Sequence, residues 1–228
     1  VTLNSVEIDG RLAHQVREQH LRALRAAGLL PVLAPGTLEP GELDALLDMC
    51  TAAYLPGGDY VPARLDEPEA QSASSAREAG LAWDPLKVRA DLHVLRRAWE
   101  RAMPTLGVCG GFQAMVIADG GTLRACTGDE LPLHADRAAA EPLVLQGPLM
   151  RDVFPGGCAA NSFHRQTVER LGGELVAAAS SGDALVEAVE PRTDRDLFWL
   201  GLQWHPELLD DLRPYRALAR AAERYLCL

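Results

Sequence analysis

In the first half of the chain, short apolar runs alternate with longer segments whose apolar residues recur at helical spacing. Residues 12–27 carry Leu12, Val16, Leu21 and Leu24 near one helical face and close on Gly28, which predicts an amphipathic helix. Residues 29–34 and 52–55 predict strands and residues 42–49 a helix, with residues 1–4 as the remnant of a first strand. Such alternation is the pattern of parallel crossover units, so it restricts the chain to an α/β architecture. Residues 85–101 predict a further helix that starts on Pro85, residues 105–108 a strand and residues 110–118 a helix stopped by Gly120-Gly121. Residues 59–82 break the pattern, and with the polar run Gln71 to Ser75 they predict a long surface loop.

After Gly120-Gly121 the character changes. Residues 143–145, 165–168, 175–178, 185–189 and 197–203 predict successive strands with short turns, the mark of antiparallel or mixed sheet, and residues 211–226 predict a closing helix. A length of 228 residues with 48% hydrophobic content suits one large domain, so residues 1–228 read as a single unit.

The junction Leu106-Gly107-Val108-Cys109-Gly110-Gly111-Phe112-Gln113 sets one cysteine at a predicted strand-to-helix turn. A helix N-terminus and a nearby imidazole both favour a thiolate, and flanking glycines leave the sulfur accessible. The Gly110 N–H, just past the cysteine, is a candidate oxyanion donor. The alternative is a buried structural cysteine. Far downstream, Gly201-Leu202-Gln203-Trp204-His205-Pro206-Glu207 ends an apolar run in a base and a carboxylate. His205 can take the thiol proton and Glu207 can orient the imidazole, although a surface histidine beside a charge is the plainer reading of those three residues alone. Pro56-Gly57-Gly58 follows another predicted strand, and Gly58 is the candidate second oxyanion donor or simply part of a turn. In Asn161-Ser162-Phe163-His164-Arg165-Gln166, polar side chains suited to an amide or carboxylate compete with ordinary turn chemistry.

Other classes are disfavoured. A formal net charge of −10 speaks against nucleic acid and anionic membranes as partners. The five cysteines show no CxxC pairing, so neither a disulfide framework nor a thiolate metal site is indicated, and a reducing, cytoplasmic compartment is expected. GxGxxG and GxxxxGK[ST] are absent, which disfavours phosphate cofactors. His14, His20, His93 and His134 lack a metal-ligand partner at helical spacing, so no metal and no catalytic role is assigned to them. No apolar stretch is long enough for a membrane span.

Taken together, Pro56-Gly57-Gly58, Gly107 to Gln113 with Gly120-Gly121-Thr122-Leu123, Asn161 to Gln166 and Gly201 to Glu207 resemble the class I glutamine amidotransferase family. The likeness is strongest to its free-standing γ-glutamyl-γ-aminobutyrate hydrolase branch, the peptidase C26 type. The resemblance implies a flavodoxin-like three-layer sandwich with a central mostly parallel sheet and additional antiparallel strands in the C-terminal half. It implies Cys109 as nucleophile, His205 as base and acid and Glu207 as its orienter. Gly58 and Gly110 would be the oxyanion donors, and Gln113, Asn161, Ser162 and His164 would lie on the substrate side. No cofactor would be needed. The activity implied is cleavage of a small γ-glutamyl amide through a thioester with release of glutamate, and such a domain is compatible with a homodimer. A glutaminase subunit feeding a separate synthetase and a non-catalytic binding protein on the same fold are the alternatives. The chain departs from the branch at Gly110, where a large basic residue is usual, and at Lys87-Val88 and Asp91, where an Arg-Asp pair and a Glu are usual. These departures leave the amine open.

Overall fold

The computed structural model describes residues 1–135, 137–192 and 197–227. The chain opens with a hairpin, β1 (Asn4–Ile8) and β2 (Arg11–Gln15), and continues through α1 (Glu18–Ala26), α2 (Pro40–Asp48), β3 (Ala53–Leu55) and α3 (Glu69–Glu78). Next come α4 (Pro85–Glu100), β4 (Thr105–Val108), α5 (Gly110–Ala118), β5 (Thr122–Ala125), α6 (Glu130–His134), β6 (Arg137–Pro142), β7 (Val144–Leu145) and α7 (Pro148–Val153). The last third holds β8 (Ala159–Ser162), β9 (Gln166–Arg170), β10 (Leu175–Ser180), β11 (Val186–Pro191), β12 (Trp199–Leu202), a 3-10 turn at Pro206–Leu208 and α8 (Arg213–Tyr225).

The main sheet has the order β3-β4-β12-β11-β10-β7. β3, β4 and β12 run parallel, with Leu55 opposite Gly107 and Leu202 opposite Val108, so their C-terminal ends share one edge. From β12 through β11 and β10 to β7 the pairing is antiparallel. The α/β sandwich is as expected, but its sheet is mixed rather than mostly parallel. Among the described residues, the parallel half is extended by an isolated bridge between Thr2 and Ala34 and by the Thr2 N–H donating to the Tyr54 carbonyl.

Strand alternation sends side chains to two cores. On one face Leu106, Val108, Leu200 and Leu202 pack with residues of α1, α7 and α8. On the other, Ala53, Leu55 and Trp199 pack with residues of α2, α4 and α5. Helix α5 is apolar except for Gln113 and buried along almost its full length, and three glycines let it sit close to the sheet. A Cβ on Gly107 would lie 2.8 Å from the Gly111 carbonyl, one on Gly111 would lie 2.1 Å from the Leu55 oxygen, and one on Gly201 would lie 3.0 Å from the Phe112 ring.

Three local expectations are corrected. The helix predicted over 12–27 begins only at Glu18, because Asp9-Gly10 takes positive φ at both turn positions and closes the hairpin that holds residues 11–15 in β2. His14 therefore lies on a strand. The strand predicted over 29–34 reduces to the Ala34 bridge; Pro31 has no N–H to give a ladder. The long loop predicted over 59–82 contains α3, tied down by Glu67, which accepts from the Ala63 N–H at 2.7 Å and the Ser72 hydroxyl at 2.9 Å.

Candidate active site

Cys109 sits between β4 and α5 at φ 51°, ψ −106°, a region that L-residues avoid. The sharp turn points the thiol away from the path of the strand and leaves the Gly110 N–H in the first turn of α5, where no intrahelical partner exists. The Cys109 N–H donates to the Leu202 carbonyl at 2.8 Å, and its own carbonyl accepts from Gln113 at 3.0 Å, so both neighbouring elements hold the strained residue.

His205 follows β12, two strand positions over from β3. Its Nδ1 is 2.6 Å from Glu207 Oε1, which leaves Nε2 on the side of Cys109. Gly57 lies against both residues: a Cβ there would lie 2.9 Å from His205 Cε1 and 3.5 Å from Cys109 Cβ. Burial by itself pushes the His205 imidazole down, but the Cys109 sulfur and then the Glu207 carboxylate outweigh it and hold the histidine up at about 10. Burial likewise pushes Glu207 up, and hydrogen bonding and attraction from His205, with a smaller pull from His20, bring it below the ordinary carboxylate value.

The structure brings Cys109, His205, Glu207, Gly58 and Gly110 together. A Cβ on Gly110 would lie 2.7 Å from the Gly58 nitrogen, so the two backbone stretches are in van der Waals contact beside the sulfur. The other four predicted residues stand behind this group. Asn161 grips the backbone of His205 from both sides, its Nδ2 donating to the His205 carbonyl at 3.0 Å and its Oδ1 accepting from the His205 N–H at 2.9 Å. Gln113 Nε2 donates to the Gln166 carbonyl and to Gln203 Oε1, both at 3.2 Å, and Gln203 Nε2 reaches Cys109 Sγ at 3.9 Å. Ser162 and His164 face inward to His134 and Glu187.

A cleft of about 510 Å³ opens over the sulfur, lined by Asn4, Arg17, Phe163 and Arg165 as well as Gly58 and His205. Of the segment Asn161 to Gln166, only the outward residues Phe163 and Arg165 line it. The Phe163 ring meets His205 edge-on at 6.1 Å. A second hollow of similar size, about 500 Å³, lies between α4 and α5 and is walled by Leu92, Trp99, Met115 and Trp199. It contains no nucleophile.

Residues that support the site from elsewhere in the chain escaped the sequence reading. His20 is buried, with Nδ1 2.7 Å from the Tyr54 hydroxyl and Nε2 3.5 Å from Glu207 Oε1, while the Tyr215 hydroxyl donates to Glu207 Oε2 at 3.3 Å. Desolvation lowers His20 to about 4, despite the pull of Glu207, so it is a neutral neighbour of the carboxylate at pH 7. Asn4 Nδ2 donates to the Gly57 carbonyl at 3.2 Å. That carbonyl belongs to the same planar peptide as the Gly58 N–H, so Asn4 fixes the direction of the candidate donor. The Lys87 stem packs against Gly58, with its ammonium paired to Asp91 at 2.5 Å. No spacing rule connects these residues to the elbow; only the fold does.

A strained cysteine at a strand-to-helix elbow, a distant His–Glu pair on a parallel neighbour and an α/β sandwich define the class I glutamine amidotransferase type of protein. Within it the chain belongs to the Peptidase C26 family, whose model matches residues 2–207. It is 32% identical over 222 residues to the γ-glutamyl-γ-aminobutyrate hydrolase PuuD of Escherichia coli, covering 88% of this chain and 81% of that one. It is 31% identical over 209 residues to Rv2859c of Mycobacterium tuberculosis, which is provisionally named a glutamine amidotransferase; 88% of this chain spans 65% of that longer protein. In fold it is similar to the crystal structure of a Thermoplasma acidophilum protein provisionally described as a GMP synthase subunit. That likeness has a TM-score of 0.59 at 17% identity and covers 92% of each chain. Among the described residues no helix is long and apolar enough to cross a membrane.

Proposed function

We propose that this protein is a cysteine-dependent hydrolase that cleaves the γ-glutamyl amide bond of a small γ-glutamyl amine and releases glutamate. The observation that carries this reading is the buried Cys109–His205–Glu207 arrangement beside the paired Gly58 and Gly110 backbones.

His205 Nε2 accepts the thiol proton, and the resulting imidazolium faces a thiolate and a carboxylate. The sulfur attacks the γ-carbonyl carbon, and the oxygen takes the electron pair as an oxyanion between the Gly58 and Gly110 N–H groups. Collapse breaks the C–N bond while His205 returns its proton to the departing amine, leaving a γ-glutamyl thioester on Cys109. His205 then deprotonates a water that attacks the thioester, and glutamate leaves as the thiolate re-forms. Glu207 keeps the imidazole in the tautomer that presents Nε2 to the sulfur. Arg17 and Arg165 give the cleft its carboxylate-binding character, which suits a glutamyl substrate. The absence of disulfides among the five free cysteines fits a cytoplasmic setting.

The test is partner-free glutamate release by the wild type and Cys109→Ala from γ-glutamyl-γ-aminobutyrate, other γ-glutamyl amines, γ-glutamyl peptides and glutamine. Turnover by the wild type alone is expected. Silence of the wild type on all substrates, or equal turnover by the variant, overturns the proposal.

A further inference from the structure

Behind the cleft wall lies a second cluster of titratable groups that the proposed chemistry does not use. His134 at the end of α6, His164 in the turn after β8 and Glu187 on β11 are each at most 3% exposed. Their ligand atoms lie within 4.8 Å of one another. Glu187 Oε1 is 3.7 Å from His134 Nδ1 and 3.6 Å from His164 Nε2.

The outer hydrogen bonds fix where each ring carries its hydrogen when neutral. His134 Nε2 faces the Asp183 carboxylate at 2.9 Å, and a carboxylate only accepts, so the hydrogen is on Nε2 and the lone pair on Nδ1. His164 Nδ1 faces the Gln166 carbonyl at 3.0 Å, so its hydrogen is on Nδ1 and its lone pair on Nε2. Both lone pairs therefore turn towards Glu187. The Ser162 hydroxyl, 2.9 Å away, satisfies the one on His134. Among the described residues, His164 Nε2 and Glu187 Oε2 have no hydrogen-bond partner. Acceptors converging on a buried carboxylate are costly unless a positive species stands between them.

We propose that His134, His164 and Glu187 form a site for a divalent transition-metal ion of the zinc type. Three features fit such an ion. Atoms bound about 2.0–2.1 Å from a tetrahedral zinc lie roughly 3.4 Å apart, close to the separations of Glu187 Oε1 from the two imidazole nitrogens. Metal-bound histidines donate their other N–H to a carboxylate or a carbonyl, and Asp183 and the Gln166 carbonyl occupy those two roles. Two neutral imidazoles and two carboxylates, Glu187 inside and Asp183 outside, balance a double positive charge. On binding, Ser162 yields its hydrogen bond to His134 Nδ1 and its oxygen becomes the neutral fourth neighbour. The ion would join α6, the turn after β8 and β11, which together back the cleft wall at Phe163 and Arg165.

The inference stands apart from the proposed hydrolysis, because its test reads metal rather than turnover. Chelator-treated protein is titrated with Zn2+ by calorimetry and with Co2+ by visible absorption, and melted with and without Zn2+. The background is Cys109→Ala/His205→Ala, so that the thiol and the His20–His205–Glu207 group cannot supply the signal. One equivalent per chain, tetrahedral Co2+ bands and a raised Tm are expected, with the bands lost in Glu187→Gln. Asp183→Asn, at a side chain 33% exposed, should weaken Zn2+ binding about 10–100-fold. No binding at excess Zn2+, or binding undiminished in Asp183→Asn, overturns the site.

Discussion

At the scale of single residues, the candidate site depends on atoms held by neighbours that do no chemistry themselves. Asn4 is one. Replacing it with Ala frees the Gly57–Gly58 peptide to rotate, and kcat should fall about 10–100-fold, less than the roughly 10²–10³-fold loss when an oxyanion donor is removed outright. Alkylation of Cys109 by iodoacetamide should stay at the wild-type rate; a parallel loss of alkylation would show that the thiol, not the donor, had been disturbed. Glu207→Gln should cost more, about 10²–10⁴ in kcat, because an amide can hold the wrong tautomer of His205. His20 contributes to stability in a pH-dependent way. Its pKa is about 4 when folded, against an ordinary 6.5, so the unfolded chain binds the proton more tightly. The stability held by neutral His20 is complete above pH 6.5 and drains away as pH falls towards 4, by about 3 kcal/mol at most. Urea unfolding should therefore show a shallower decline between pH 7 and 4 in His20→Asn, and identical slopes would refute this account.

Among the elements, legibility followed locality. The β4–elbow–α5 unit and its cysteine could be read directly, since an apolar run, small residues and a helical run lie next to one another in the chain. The hairpin was written just as locally in Asp9-Gly10, but the helical spacing of Leu12 with later leucines masked it; Leu12 is in fact 56% exposed on β2. Helix α3 was hidden for another reason: its Ala and Ser residues offer little apolar periodicity, and Glu67, outside the helix, does the anchoring. The support of Gly58 by Asn4 and of Glu207 by His20 could not be read at all, because each pairs segments that only the tertiary fold brings close. Asp84 illustrates how such links work. One carboxylate oxygen caps α4 by accepting from the Lys87 N–H at 3.0 Å, and the other accepts from the Ser5 N–H of β1 at 2.5 Å. Asp84→Ala should cost about 1–2 kcal/mol and raise hydrogen exchange at Ser5 and in the first turn of α4 together. Exchange confined to α4 would separate the hairpin from the helix.

Over the whole molecule, the mixed sheet explains why the candidate site residues gather at one edge. The parallel trio β3, β4 and β12 delivers Gly57-Gly58, Cys109 and His205 from three distant parts of the chain to adjacent loops, and close approach of α5 keeps the elbow in place. Gly107→Ala should therefore be felt both globally and at the sulfur. Its Cβ would press on Gly111 and Met115, at a cost of about 1–3 kcal/mol, and the displaced α5 should lower kcat as well as Tm. A drop in Tm with kcat intact would show the elbow to be insulated from its helix. The strand order has a further consequence, for the timing of biosynthesis. β12 lies at the middle of the sheet yet is the last strand made, and His205 and Glu207 follow it immediately. A nascent chain still on the ribosome thus carries Cys109 without His205, and the thiol meets the imidazole only when β12 slots between β4 and β11.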